Sequence, residues 1–132
     1  MTETNEIDWT PVVQWFGHVP GFHDSEVVSI DLRRDPLPSV IRLRAFRMNA
    51  DTDEKGYFRL DLHCLVTFTL SGVQDVELEG WNHQNALMGL EITKTGDVYR
   101  LDLDGAWGVQ GFMTASHIAI ELEPWSHEPA LK

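Results

Sequence analysis

The sequence predicts an α+β domain that is mostly antiparallel β: six or seven strands in a curled sheet or a sandwich, with one or two short helices. Three observations predict it. Apolar residues recur at every second position in several separate stretches, the longest being Phe58, Leu60, Leu62, Cys64, Val66, Phe68 and Leu70. Turn residues such as glycine, proline and asparagine divide these stretches. Helical spacing is clear only near the start of the chain. At 132 residues, 42% of them apolar, the chain is long enough to bury one core. Residues 1–132 therefore read as a single domain, with 1–7 and 125–132 as loose ends.

Taken in order, "WTPVVQWFG" predicts a short helix with Thr10 as N-cap, Pro11 in the first turn and Gly17 as terminator. Val12, Trp15 and Phe16 share one face of it. The period then changes to two. Val28, Ile30 and Leu32 alternate with Ser29, Asp31 and Arg33 until "RRDPLPS" breaks the run. Ile41, Leu43 and Ala45 alternate with Arg42, Arg44 and Phe46, and "NADTDEKG" reads as a loop before the long Phe58–Leu70 alternation. After the turn "SGVQ", Val76 and Leu78 alternate with Asp75, Glu77 and Glu79. "GWNHQN" follows, and Asn82 there either caps a helical turn through Ala86, Leu87 and Met88 or belongs to a loop. Leu90 and Ile92 begin another strand, "TKTGD" turns it, and Tyr99, Leu101 and Leu103 alternate with Arg100, Asp102 and Asp104. In "GAWGVQG" three glycines surround Trp107, a spacing that permits a bulge or tight bend. Ile118, Ile120 and Leu122 form a terminal strand opposite His117, Ala119, Glu121 and Glu123.

Charge narrows the function. Twenty-one acids against ten bases give −11, which opposes binding to phosphate backbones or anionic lipid, so neither nucleic acid nor membrane is an expected partner. Residues 60–131 hold eleven acids and only two bases, Lys94 and Arg100. The lone cysteine, Cys64, sits among apolar residues and has no internal disulfide partner, and the start MTETNEID is unlike a signal peptide, so a reducing cytoplasmic location is expected.

Two sets of residues are candidates for a site. The first is acidic: Asp75, Glu77 and Glu79 share a strand face, as do Asp102 with Asp104 and Glu121 with Glu123. Like charges opposed on a sheet cost from a few tenths to about 1 kcal/mol, so such ladders call for an explanation. Either Arg42 and Arg44 lie across from some of them while the rest give solubility and guard edges, or they form a surface for a basic protein partner. In the second case charge raises association rate and partner choice more than affinity.

The second set is His23, Asp24 and Glu26 with Asn82, His83, Gln84, Asn85 and Trp107. On an extended chain His23 points away from Asp24 and Glu26, so the three do not converge on a metal without a bend. Asp24 or Ser25 can instead satisfy backbone donors in the turn. With no HxH, HExxH, CxxC or EF-hand loop, and no nucleophile elbow or phosphate loop, the sequence predicts no metal, no cofactor and no catalytic residue. If folding brings His23 or Asp24 beside the Asn82–Asn85 turn, the residues would form one polar cluster. A small ligand- or metal-binding domain or enzyme with a pocket near His23 is then the alternative function, and a homodimer built on exposed tryptophans is a third.

Three stretches, "FHDSEVVSIDL", "VELEGWNHQNALMGLEI" and "YRLDLDGAWGVQGFMTASHIAI", together resemble the immunity protein 50 family of bacterial polymorphic toxin systems. The resemblance spans roughly residues 16–122. It implies a non-enzymatic protein that binds and neutralises a cognate toxin by occupying its active or substrate-binding surface. It carries over no catalytic residue. An acidic face agrees with this class, because carboxylates can stand in for phosphates at a cationic enzyme site.

Overall fold

A computed structural model describes residues 7–52, 54–56 and 58–125. One helix, α1 (Thr10–Phe16), precedes eight strands: β1 (Glu26–Asp31), β2 (Ser39–Thr52), β3 (Phe58–Ser71), β4 (Val76–Glu79), β5 (Ala86–Thr95), β6 (Val98–Trp107), β7 (Gln110–Ala115) and β8 (His117–Pro124). They form a single antiparallel sheet in the order β4-β7-β6-β5-β1-β2-β3-β8.

The expected alternation fills the inner face. Ile41, Leu43, Ala45, Cys64, Val66, Phe68 and Leu70 from β2 and β3 are fully or almost fully buried, and so are Tyr99, Leu101, Leu103, Met113 and Ala115 from β6 and β7. All belong to one apolar cluster. Since β6 and β8 also approach each other although five places apart in the sheet order, the sheet curls around this core. α1 packs on β3 and β8. Val12 and Phe16 are buried and Trp15 partly so, with the Trp15 indole N–H donating to the Leu62 carbonyl at 2.7 Å. Trp9, Phe22 and Phe68 meet with ring centroids 6.2–6.4 Å apart, which plugs the turn after α1 into the core.

Several local expectations are corrected. The strands number eight, and among the described residues there is one helix. Thr10 is the first helical residue rather than the cap; its side chain and then its N–H, which donates to the Asp8 carboxylate at 3.0 Å, hold Asp8 below the usual carboxylate range. Ala86–Met88, good helix formers, belong to β5 because that segment pairs with β6 from Ala86↔Trp107 to Thr95↔Val98. β2 runs on to Thr52, into the predicted loop. β7 is the strand that alternation misses, since Gly111 interrupts its pattern. A side chain at Gly111, where φ is 139°, would collide with the carbonyl of Glu77, so β4 and β7 approach this closely only with glycine there.

Two bulges break the expected faces. Val28 is the extra residue between Val27↔Leu43 and Ser29↔Arg42, so Val27 is buried and Val28 is exposed. In β3 the pairs Ala45↔Cys64 and Arg47↔Asp61 enclose an extra residue, and Leu62 takes a left-handed φ of 55°. Alternation inward therefore holds from Cys64 to Leu70, while Leu60 beyond the bulge is exposed. Of the two predicted loose ends, residues 1–6 and 126–132 lie outside the described residues. Ile7 packs on the core and the Trp125 ring lies under the Arg44 guanidinium, 5.3 Å away. Among the described residues no helix is long and apolar enough to cross a membrane.

Candidate functional site

The junction between β1 and β5 divides the sheet into two four-stranded halves. Its register is short, Glu26↔Ala86 alone, but neighbouring backbone groups extend it. Asp24 N–H donates to Leu87 O (2.8 Å), Leu87 N–H to Ser25 O (2.9 Å), Val27 N–H to Asn85 O (2.8 Å) and Leu90 N–H to Gly21 O (3.0 Å). The two polar motifs singled out in the sequence thus lie side by side, joined through their backbones. Their side chains do not meet. His23 Nδ1 is 3.2 Å from Asp24 Oδ2 in a well-exposed pair, and both line a small cavity of about 270 Å³ with Phe22, Phe46, Arg47 and Met48, on the β2 side.

Asn85 faces the other way and is 3% exposed. Its Oδ1 accepts from Asn82 N–H and Val109 N–H, both at 3.0 Å, and its Nδ2 donates to Asn82 O at 2.8 Å. The side chain ties the 80–85 loop to the β6–β7 turn, where a Cβ on Gly108 would strike Gln84 O and Asn85 Oδ1. Asn82 Oδ1 accepts from His83 N–H (2.8 Å) and lies 2.9 Å from His83 Nδ1, at the surface. Gln84 and Trp107 are exposed as well. Among the described residues no three of His, Cys, Asp and Glu gather into a metal-binding group.

The acidic set divides between the two halves. On the outer face of β4-β7-β6-β5, the register aligns Glu77 with Phe112, Phe112 with Asp102, and Asp102 with Glu91. Glu79 lies opposite Gln110, whose Nε2 donates to Glu79 Oε2 at 3.0 Å, and Asp104 lies opposite Gly89. Asp75 enters β4 with its N–H donating to Thr114 Oγ1 at 3.0 Å. Glu77, Glu79, Asp102 and Asp104 line an open concavity of about 640 Å³ with Arg100, Gln110 and Phe112. Its one guanidinium is already engaged: Arg100 Nε donates to Asp102 Oδ1 at 2.9 Å, and the group lies 3.8 Å over the Phe112 ring.

Glu121 and Glu123 stand elsewhere, on β8 in the other half. The rows there run Arg42, Thr67, Glu121 and Arg44, Leu65, Glu123. Arg42 lines the same concavity as both glutamates, about 600 Å³ in volume. On β2-β3-β8 an arginine shares the concavity of the two glutamates from one strand further on, whereas on β4-β7-β6 four carboxylates share theirs with Arg100 alone.

A family model described as Immunity protein 50 matches residues 9–123. The chain belongs to this family. Its match begins just before α1 and ends in β8, so both halves of the sheet, both acidic groups and the Asn85 clamp lie within the matched span. No curated protein and no solved structure matches the chain.

The sequence placed Asn85 in a possible polar cluster with His23 and Asp24, and its clamping role was missed. The one signal available was its place at the end of the polar NHQN stretch, directly before the apolar start of β5.

Proposed function

We propose that the chain is a non-enzymatic, cytoplasmic immunity protein that binds a cognate toxin and blocks it through the outer face of β4, β7 and β6. Membership of the immunity protein 50 family supports the class. The observation that carries the choice of face is the concavity lined by Glu77, Glu79, Asp102 and Asp104, where Arg100 is the one base and is already paired. Such a face favours a basic partner: its field speeds encounter with a cationic enzyme site and repels anionic competitors.

The test is co-expression with the toxin domain encoded beside the gene. The chain is expected to restore growth and to form a stoichiometric complex whose association slows by about tenfold or more as salt rises from low to physiological and above. The double variant Glu77→Gln/Asp104→Asn should slow association at low salt and flatten that salt dependence. A toxin domain that is neither bound nor neutralised rejects the proposal.

A further inference from the structure

Beside the acidic concavity the core reaches the surface. Ile30 of β1 and Leu78 of β4 pack on the apolar cluster, yet they also line an open notch of about 350 Å³ whose exposed lips are Leu32 and Trp81. These two side chains are 52% and 54% exposed, and buried Val109 also lines the notch. β1 and β4 are not sheet neighbours, so the notch exists because the curl carries the end of one strand over the end of the other. Leu78 and Glu79 line both the notch and the acidic concavity, which makes the two a continuous surface.

We propose that this notch is the anchoring point of the interface: it receives an apolar side chain of the same basic partner protein that the neighbouring carboxylates attract. The inference rests on the reading of the chain as an immunity protein and assigns the two parts of the surface different work. Carboxylates govern how fast the partner arrives. Trp81 and Leu32 govern how long it stays, since interface energy concentrates in a few desolvated aromatic and apolar anchors ringed by polar groups. The charge argues for a partner of opposite sign over a second copy of this chain. Residues 72–115 carry seven acids and two bases, and self-association at the notch would press one such surface against another, with Glu79 at the rim of each.

Binding of the neighbouring toxin domain is measured with the full chain, with Trp81→Ala and with Leu32→Lys, and the mass of each in solution is followed over a range of concentrations. Both substitutions fall on residues more than half exposed, so melting temperatures should stay close to that of the unaltered chain. Each variant is expected to bind at least about thirtyfold more weakly, mainly through faster dissociation, the factor to which a hot-spot loss of about 2 kcal/mol corresponds. Met48→Ala, on β2 and 53% exposed, should keep full affinity. Unchanged affinity of both notch variants overturns the inference while leaving the proposed function standing. A homodimer that dissolves on Trp81→Ala overturns it in favour of a second copy. Failure of the unaltered chain to bind rejects the function, and the inference with it.

Discussion

The two halves of the sheet use the same alternation and four strands each, yet they handle charge in opposite ways. Residues 26–71 and 117–124, which hold β1, β2, β3 and β8, contain nine acids and seven bases, whereas residues 72–115, which hold β4 to β7, contain seven acids and two bases. In the first half the Arg47 guanidinium donates twice to the Asp61 carboxylate, at 2.9 and 2.7 Å, and Arg33 pairs with Asp31 at 3.1 Å. The hydrogen bonds from Arg47 to Asp61, and then the charge of that carboxylate, raise Arg47 above the usual arginine value. In the second half Glu77 and Asp104 have no such partner among the described residues, and Glu91 faces Asp102 directly. The first half holds two arginine–carboxylate pairs and nearly balances its charge; the second pairs Arg100 with Asp102 and turns an excess of carboxylates outward, at a cost to its own stability. The difference is why the second half is the proposed binding face, since the −11 of the whole chain is not spread evenly.

The two halves share one apolar core, and large side-chain deletions test this most strongly. Phe68→Ala in the first half is expected to cost about 3–5 kcal/mol and Leu101→Ala in the second about 2–5 kcal/mol, since both residues are fully buried. Urea unfolding followed by circular dichroism and by tryptophan fluorescence should give one coincident transition in each variant. Two separated transitions would turn the halves into independent folding units. Next in size is the Asn85 clamp between the 80–85 loop and the β6–β7 turn, both in the second half. Asn85→Ala strands the Val109 and Asn82 backbone groups that its side chain satisfies, and about 3 kcal/mol should be lost in the same unfolding measurement. A loss below about 1 kcal/mol would mean that water takes over the stranded groups at little cost. The smallest effect sharpens the contrast in charge. Glu91→Gln should stabilise by a few tenths up to about 1 kcal/mol at low salt, with the gain fading in concentrated salt. Glu121→Gln, whose glutamate shares a concavity with Arg42, should bring no gain. Equal responses from the two would erase the distinction between the halves.

What was legible in the sequence is what depends on one strand at a time. Inward positions of β2, β6 and β8 follow directly from period two, and so do the outward carboxylates of β4 and β6. Val28 and Leu60 were misplaced because a bulge is set by the count of residues on the partner strand, which no local pattern contains. β7 was invisible because Gly111 belongs to it for the sake of contact with Glu77 in β4. At the candidate site the ladders were readable, but their grouping was not. Only the order β4-β7-β6 brings Glu77 and Glu79 beside Asp102 and Asp104, and the same order leaves Glu121 and Glu123 with Arg42. The notch at Trp81 and Leu32 depends on curl, a property of the whole sheet.

The lone cysteine adds one more consequence. Cys64 is wholly enclosed in β3, and burial pushes its thiol from an ordinary 9.0 up to about 12. Below pH 9 the proton stays on whether the chain is folded or not. Above it the unfolded chain releases a proton that the folded chain retains, so stability falls as pH rises from 9.0 toward 12, by at most about 1.4 kcal/mol per unit. The thiolate is also the form that attacks alkylating agents. At neutral pH the sulfur is thus unreactive while β3 stays in the sheet, and its rate of alkylation becomes a clock for how often the charge-balanced half comes apart.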